Sequence, residues 1–262
     1  MFDNDSPFLP TGSAPPRSDS LGDLALATIR TAILSCELAP AVVATEAELS
    51  ARYGLGLAAT RAALARLSAL GWIEAEPRRG WRVAPVSGTH LADLLDARRL
   101  LEPALRTVVA TPERARDLLL QADVYEASSR RPDENHHFAE LRLSARCAGA
   151  VHRPRIAAWL GETWDLSLRA DRWFRTRLNI ARPPLPLEAL ARALARGDGE
   201  GAERIAAEMR GAFEDRASIA LGFSDAQIAG AHAPLRAPSP LGTSRTDGRT
   251  AAEHPPLGGT DR

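Results

Sequence analysis

The tightest constraint on how this chain can fold lies between residues 21 and 87, where helix-period segments give way to two short β-prone runs. Leu21, Leu24, Ala25, Thr28, Ile29, Ala32 and Ile33 recur with the 3.6-residue period of a helix face. Ser20 with Asp23 predicts a capping box at its start, and Pro40 bars continuation past Leu38. Thr45-Glu46-Ala47-Glu48 predicts a second capping box, opening a short helix through Arg52. Gly54 and Gly56 force a turn. A third helix then runs from Leu57 to Leu70, with Thr60, Ala63, Leu64, Leu67 and Leu70 as its inner face and Gly71 as its stop.

Trp72 to Glu76 and Trp81 to Ala84 flank Pro77-Arg78-Arg79-Gly80, which predicts a β-hairpin. Helix, helix, turn, helix and hairpin in that order are the layout of a winged helix-turn-helix. Pro85 to Gly88 reads as a linker. Beyond it, six helical segments are expected near 90–109, 111–126, 133–150, 152–178, 184–196 and 199–220. Ala202, Ile205, Ala206, Met209 and Phe213 form the inner stripe of the last. Their short connections imply an antiparallel bundle. The fold class is therefore mainly α: a winged domain over 20–87, with three helices and a β-hairpin, and an all-helical domain over 88–223. Residues 1–19 and 224–262, rich in Pro, Ser, Gly and Ala, are expected to be disordered arms.

The formal net charge is zero, so attraction to a nucleic acid must come from a local patch. All 33 cationic side chains are Arg, whose forked guanidinium suits phosphate and guanine. Cys36 and Cys147 lie far apart and predict neither a disulfide framework nor a metal site. No segment has the ~18 apolar residues of a membrane span, and the acidic, proline-containing start is unlike a signal peptide. A cytoplasmic protein with no membrane partner is expected. No phosphate loop, nucleophile elbow or metal-ligand cluster is present, and the expectation is a non-enzyme without cofactors.

Ala32-Ile33-Leu34, Glu37-Leu38-Ala39-Pro40, Glu46 through Leu49, Gly54, Arg61-Ala62-Ala63-Leu64, Leu67, Gly71 and Arg79-Gly80 with Val83 span this module. In that pattern the segment resembles the DNA-binding domain of GntR-family regulators. The remainder resembles the family's FadR-type (FCD) effector domain through Asp96 to Glu102 and Ala193 to Asp198. The resemblance implies a transcriptional regulator that binds double-stranded DNA at a short inverted repeat as a homodimer. Leu57, Ala58 and Arg61 would face the major groove, with Arg61 on a guanine or a phosphate. Arg30 and Arg52 would clamp phosphates, and the wing turn Arg78-Arg79-Gly80 would lie along the minor groove, where Gly80 permits close approach. For Arg52 and Arg78 a solvated surface charge is the alternative.

Several positions depart from the family pattern. Where the family opens its recognition helix with Ser-Arg-Thr-Pro, this chain has Gly56-Leu57-Ala58-Ala59. A bidentate base contact supplies roughly 1–3 kcal/mol of discrimination, so the loss bears on specificity. Cys36 and Ala41 stand where a turn glycine is common, which suggests an altered loop. Glu140, Ser144, Leu187 and Ala212 fall at the family's metal-ligand positions, and one carboxylate without imidazoles predicts no metal. The adjacent His136 and His137 should point apart on a helix, and His152 reads as a loop residue. Arg98, Glu102, Glu140 and Trp164 are the candidate effector residues, for a small organic acid. An internal Arg98–Glu102 pair is the alternative for Arg98, and plain core is the alternative for Trp164, Trp173 and Phe174. A competing reading of the whole chain is a degenerate relative: a dimerising protein-interaction module with weak or no sequence-specific DNA binding.

Overall fold

The computed structural model describes residues 18–130 and 134–223, so the two predicted arms lie outside the described residues except for Ser18 and Asp19. Helix α1 spans Ser18–Leu34 and buries Ala25, Ile29, Ala32 and Ile33. Ser20 therefore sits inside the helix rather than at its cap, and Asp23 bonds Arg66 at 2.6 Å instead of closing a capping box. The helix thus begins at least two residues before the predicted cap.

Strand β1 (Val43–Ala44) leads into α2 (Glu46–Tyr53). Thr45 caps α2 with its side chain, and Glu48 reaches back to the Thr45 backbone N–H at 2.7 Å, completing the predicted box. Gly54 ends the helix at φ +62°. Helix α3 (Leu57–Ala69) packs on α1 through Thr60, Ala63, Leu64 and Leu67. Leu70, expected on that inner face, is 55% exposed, because the helix ends at Ala69 and the chain turns away through Gly71. Fully burying a Leu or Ile side chain stabilises by about 1.5–3 kcal/mol, so this small apolar seam holds the three helices together.

The hairpin forms as β2 (Ile73–Glu76) and β3 (Gly80–Val83), antiparallel, with Ile73 opposite Val83 and Glu76 opposite Gly80. Pro77 and Arg78 occupy the centre of its turn, closed by the Arg79 N–H donating to the Glu76 carbonyl at 3.0 Å. Arg78 takes φ +67°, a value usually left to glycine in such a turn. A feature not read from the sequence is β1 adding to this sheet, in the order β1-β3-β2, with Ala44 opposite Trp81. Gly80 makes the addition possible. At φ +115°, a Cβ there would lie 2.5 Å from the Ala44 carbonyl oxygen. Gly80 thus serves a close approach within the protein, to β1, besides the one expected of it at DNA. Cys36 (φ 57°) and Ala41 (φ 64°) take the left-handed conformation that glycine normally supplies. The loop keeps that backbone shape at a cost of about 1–2 kcal/mol per residue.

The remaining helices are α4 (Gly88–Leu101), α5 (Pro112–Ser129), α6 (Glu134–Gly149), α7 (Pro154–Arg177), α8 (Leu187–Ala195) and α9 (Gly199–Leu221). The first predicted segment of the bundle is not one helix: α4 gives way at Pro103 to a 3-10 turn over Glu102–Thr107. A proline ring clashes with an α-helical carbonyl four residues back, which favours the tighter winding. The segment expected from 184 begins at Leu187, after Pro183, Pro184 and Pro186. His152 lies in the bend between α6 and α7, as expected. In α9, Ala202, Ala206, Met209 and Phe213 are buried and Ile205 is partly so. Trp173 and Phe174 pack into a core with Leu91, Leu94 and Phe213. No helix of the described residues is long and apolar enough to cross a membrane.

The two domains are fastened to each other along α7. The Trp72 indole N–H donates to Glu162 at 2.7 Å, and Arg30 is paired with Asp165 while its guanidinium lies 4.9 Å over the Trp72 ring. Arg169 donates to the Ala84 carbonyl at 2.6 Å, and Arg172 to the Ser35 carbonyl at 2.6 Å. Residues 162, 165, 169 and 172 are spaced as one face of a helix. From α6, His137 Nε2 adds a 3.0 Å bond to the Leu34 carbonyl.

Candidate nucleic-acid interface

Helix α3 presents a free outer surface. Leu57 is 48% exposed, and the Arg61 side chain is 65% exposed. Ala58 is also exposed and shares their face. Gly56 stands at the N-cap and makes no side-chain capping bond, so the first N–H groups of α3 are not satisfied by their cap. Such a helix start favours an anion. The wing turn projects beside it, with Arg78 and Arg79 exposed and Gly80 partly so. Arg79 bonds Glu76 at 3.0 Å with more than half of its side chain in solvent. The structure thus brings Leu57, Ala58, Arg61, Arg78 and Arg79 onto α3 and the adjoining hairpin.

Arg61 does not stand alone. Its Nε and Nη2 donate to Glu46 Oε2 at 3.0 and 2.9 Å. The Arg61 hydrogen bond holds the Glu46 carboxyl below the usual range, with a smaller contribution from the Trp81 indole. One carboxylate therefore ties the start of α2 to α3 and to the wing. The sequence displays Glu46 as part of a cap signature; its link to a residue 15 positions away is a tertiary fact.

Arg30 and Arg52 are placed differently from the phosphate clamps expected of them. Arg30 turns toward the helical domain, where burial raises the Asp165 carboxyl to about 6 against the pull of the guanidinium. A single buried carboxylate draws it there because an unpaired charge at that junction costs more than a solvated one. The Arg52 side chain is only 8% exposed and donates through Nε and Nη2 to Glu37 Oε1 at 3.2 and 2.9 Å, alongside the Tyr53 hydroxyl. It is therefore neither a projecting clamp nor the solvated charge of the alternative reading. Its guanidinium braces α2 against the turn after α1.

Inside the bundle, Glu102 is fully buried and accepts from Arg98 Nε at 2.6 Å, from the Trp164 indole at 3.1 Å and from Arg210. The internal Arg98–Glu102 pair is present, and Arg98 Nη2 is left over, buried without a hydrogen-bond partner. Arg98 and Trp164 line a cavity with Ser144, Asp171, Met209 and Arg216. Its free space is about 20 Å³, room for little more than one water. Glu102 backs this cavity without lining it. Glu140 is not among the lining residues either: Arg182 bonds it at 2.6 Å, and His136 and His137 approach it at 3.4 and 3.7 Å. Burial pushes the Glu140 carboxyl up, and His137 and Arg182 more than offset that. The two histidines, expected to point apart, both reach this one carboxylate from different sides. Among the described residues no group of three or more His, Cys, Asp or Glu side chains is arranged to hold a metal.

Comparison with known proteins places this architecture. No curated protein matches the chain. Among solved structures, McbR/YncC of E. coli superposes with a TM-score of 0.61 at 18% identity, covering 76% of this chain and 96% of that one. A transcriptional regulator GntR from Rhodococcus sp. RHA1 gives 0.58 at 19% identity, with coverages of 78% and 98%. At such identities the likeness shows a shared fold, and it extends over the winged domain and the bundle together. The winged domain also matches in sequence, through the model for bacterial regulatory proteins of the gntR family at residues 23–83. Residues 23–83 thus match the gntR family's DNA-binding domain in sequence, and the chain as a whole shares the fold of these GntR regulators.

Proposed function

We propose that this protein is a DNA-binding transcriptional regulator of the FadR type, acting as a homodimer on a short inverted repeat and responding to a small organic acid. The observation that carries the reading is the exposed outer face of α3, with Leu57, Ala58 and Arg61 in solvent beside a projecting arginine-bearing hairpin. A helix-turn-helix places such a face in the major groove, where Arg61 donates to guanine and Leu57 contacts a thymine methyl. Arg78 and Arg79 follow the neighbouring groove, and the uncapped start of α3 meets a phosphate. Two recognition helices about one DNA turn apart require a dimer, to which the helical domain contributes the contact.

The effector reading rests on Arg98. A buried guanidinium nitrogen without a partner, at the wall of a cavity that Arg216 also lines, suits a carboxylate. Because the cavity admits little more than a water, such a ligand would have to spread the helices that line it, α7 among them, and α7 carries the Glu162, Asp165, Arg169 and Arg172 contacts to the winged domain. Ligand binding would then shift the pose of that domain.

Fluorescence anisotropy on duplexes from the protein's own upstream DNA, at several salt concentrations, tests the DNA reading. Phosphate contacts require affinity to fall steeply with salt, so a flat response refutes it. Arg61→Ala should weaken the upstream duplex far more than an unrelated one. Equal loss on both would take the base-reading role away from Arg61.

A further inference from the structure

We infer that Glu46 is a specificity-determining residue, working as a joined carboxylate–guanidinium reader with Arg61; this rests on the DNA-binding reading above. Three observations support it. Both Glu46 contacts with Arg61 run from Nε and Nη2 to a single oxygen, so Nη1 takes no part in the pair. Both partners reach solvent on the outer side of the winged domain, with Arg61 65% and Glu46 26% exposed. Glu46 begins α2 directly after Thr45, whose Cα lies 3.1 Å from where a Gly80 Cβ would stand, so its backbone is anchored to the wing.

The consequence for DNA follows from charge and geometry. A lone Arg on a recognition helix gains as much from any phosphate as from a guanine. Paired with a carboxylate, the unit has no net charge, and the carboxylate repels phosphate. Indiscriminate attraction to the backbone is thereby suppressed. The same pairing holds a long, flexible side chain in one geometry before DNA arrives, which favours a contact of fixed direction. The exposed surface now offers donors and an acceptor side by side. A guanine supplies acceptors at O6 and N7, and a cytosine supplies the N4 donor that a carboxylate accepts. Guanine and cytosine at adjoining positions are thus the bases that this pair fits.

The test uses the full chain and a duplex selected by the wild-type protein from a randomised library. Affinity for it and for an unrelated duplex of equal length is measured from low to moderate salt for wild type, Glu46→Gln, Arg61→Ala and the double variant. Glu46→Gln, which keeps size and most hydrogen bonding, should bind the unrelated duplex more tightly. Its log affinity should fall with log salt more steeply by ~0.9, the signature of one extra phosphate contact. The ratio of selected to unrelated affinity should drop about tenfold or more, and selection with this variant should lose the cytosine preference. In the Arg61→Ala background the same change should have little effect on the ratio. Equal weakening on both duplexes with an unchanged salt slope would reduce Glu46 to a structural tie and overturn the proposal. Unchanged binding would overturn it as well. A wild type that binds no duplex in a salt-dependent way would instead refute the DNA-binding reading itself, so the two failures are distinguishable.

Discussion

Gly80→Ala is the substitution with the most to reveal about how the winged domain is built. Two costs combine. A side chain at φ +115° occupies backbone territory nearly reserved for glycine, worth of order 1–3 kcal/mol. The added Cβ would also stand 2.5 Å from the Ala44 carbonyl oxygen and 2.9 Å from its carbon, both backbone atoms that no rotamer change can move aside. Strand β1 must retreat, and its short ladder includes the Val83 N–H bond to Val42 at 2.9 Å. Each backbone bond lost costs about 0.5–1.5 kcal/mol. The sum is ~2–5 kcal/mol. Gly54→Ala is the control, because Gly54 also has a positive φ, +62°, but nothing lies within 4 Å of its added Cβ. It should cost about 1–2 kcal/mol. Urea unfolding of the full chain, followed by tryptophan fluorescence with Trp72 and Trp81 reporting on the winged domain, measures both. Equal losses for the two variants would mean that the β1–β3 approach is not a constraint, and the structural reason for Gly80 would fall.

Glu102→Gln should be strongly destabilising, by about 3–5 kcal/mol in the same assay, because it leaves the Arg98 and Arg210 charges without a carboxylate in a buried site. A loss under 1 kcal/mol would show that solvent reaches this cluster. His90 makes stability depend on pH. Burial, with the Arg169 charge beside it, pushes its imidazole down to about 4, so between about pH 6.5 and 4 the unfolded chain binds a proton that the folded chain refuses. Its contribution is complete above that window and is lost as pH falls through it, by ~2 kcal/mol after allowing for its partial exposure. Asp165, raised to about 6, slopes the opposite way. The readout is therefore the difference between wild type and His90→Phe across pH 4–7, and parallel curves would refute the assignment.

Local rules carried the winged domain far. The Thr45–Glu48 box, the glycines at 54 and 71 and the apolar spacing of α3 act over a few residues, and each formed where the spacing placed it, except that Leu70 falls past the end of α3 and is exposed. The breaks in the bundle also had local causes: prolines at 103, 183, 184 and 186 cut helices that apolar periodicity alone would have run on. Long-range pairing was not legible. β1 is two residues long and exists because Gly80 lets another strand's backbone come close, an event 36 positions away in sequence. The fates of the arginines were likewise undecided. Arg30 and Arg61 are the same residue type on exposed helix stretches, yet one turns to Asp165 on α7 and the other stays in solvent with Glu46.

The order of residues by itself determined most of the helices, the cap of α2 and the helix-turn-helix with its hairpin, because hydrogen bonding within a turn and apolar spacing on one face depend only on near neighbours. Only the tertiary structure decided which charges distant in sequence meet. Such a pair is set by where two elements bring their side chains, and where it is buried, as at Glu102, an unpaired partner is too costly to leave. That is why Glu46 joins Arg61, Arg210 joins the Arg98–Glu102 pair that the i,i+4 spacing already offered, and α7 becomes the element to which the winged domain is fastened.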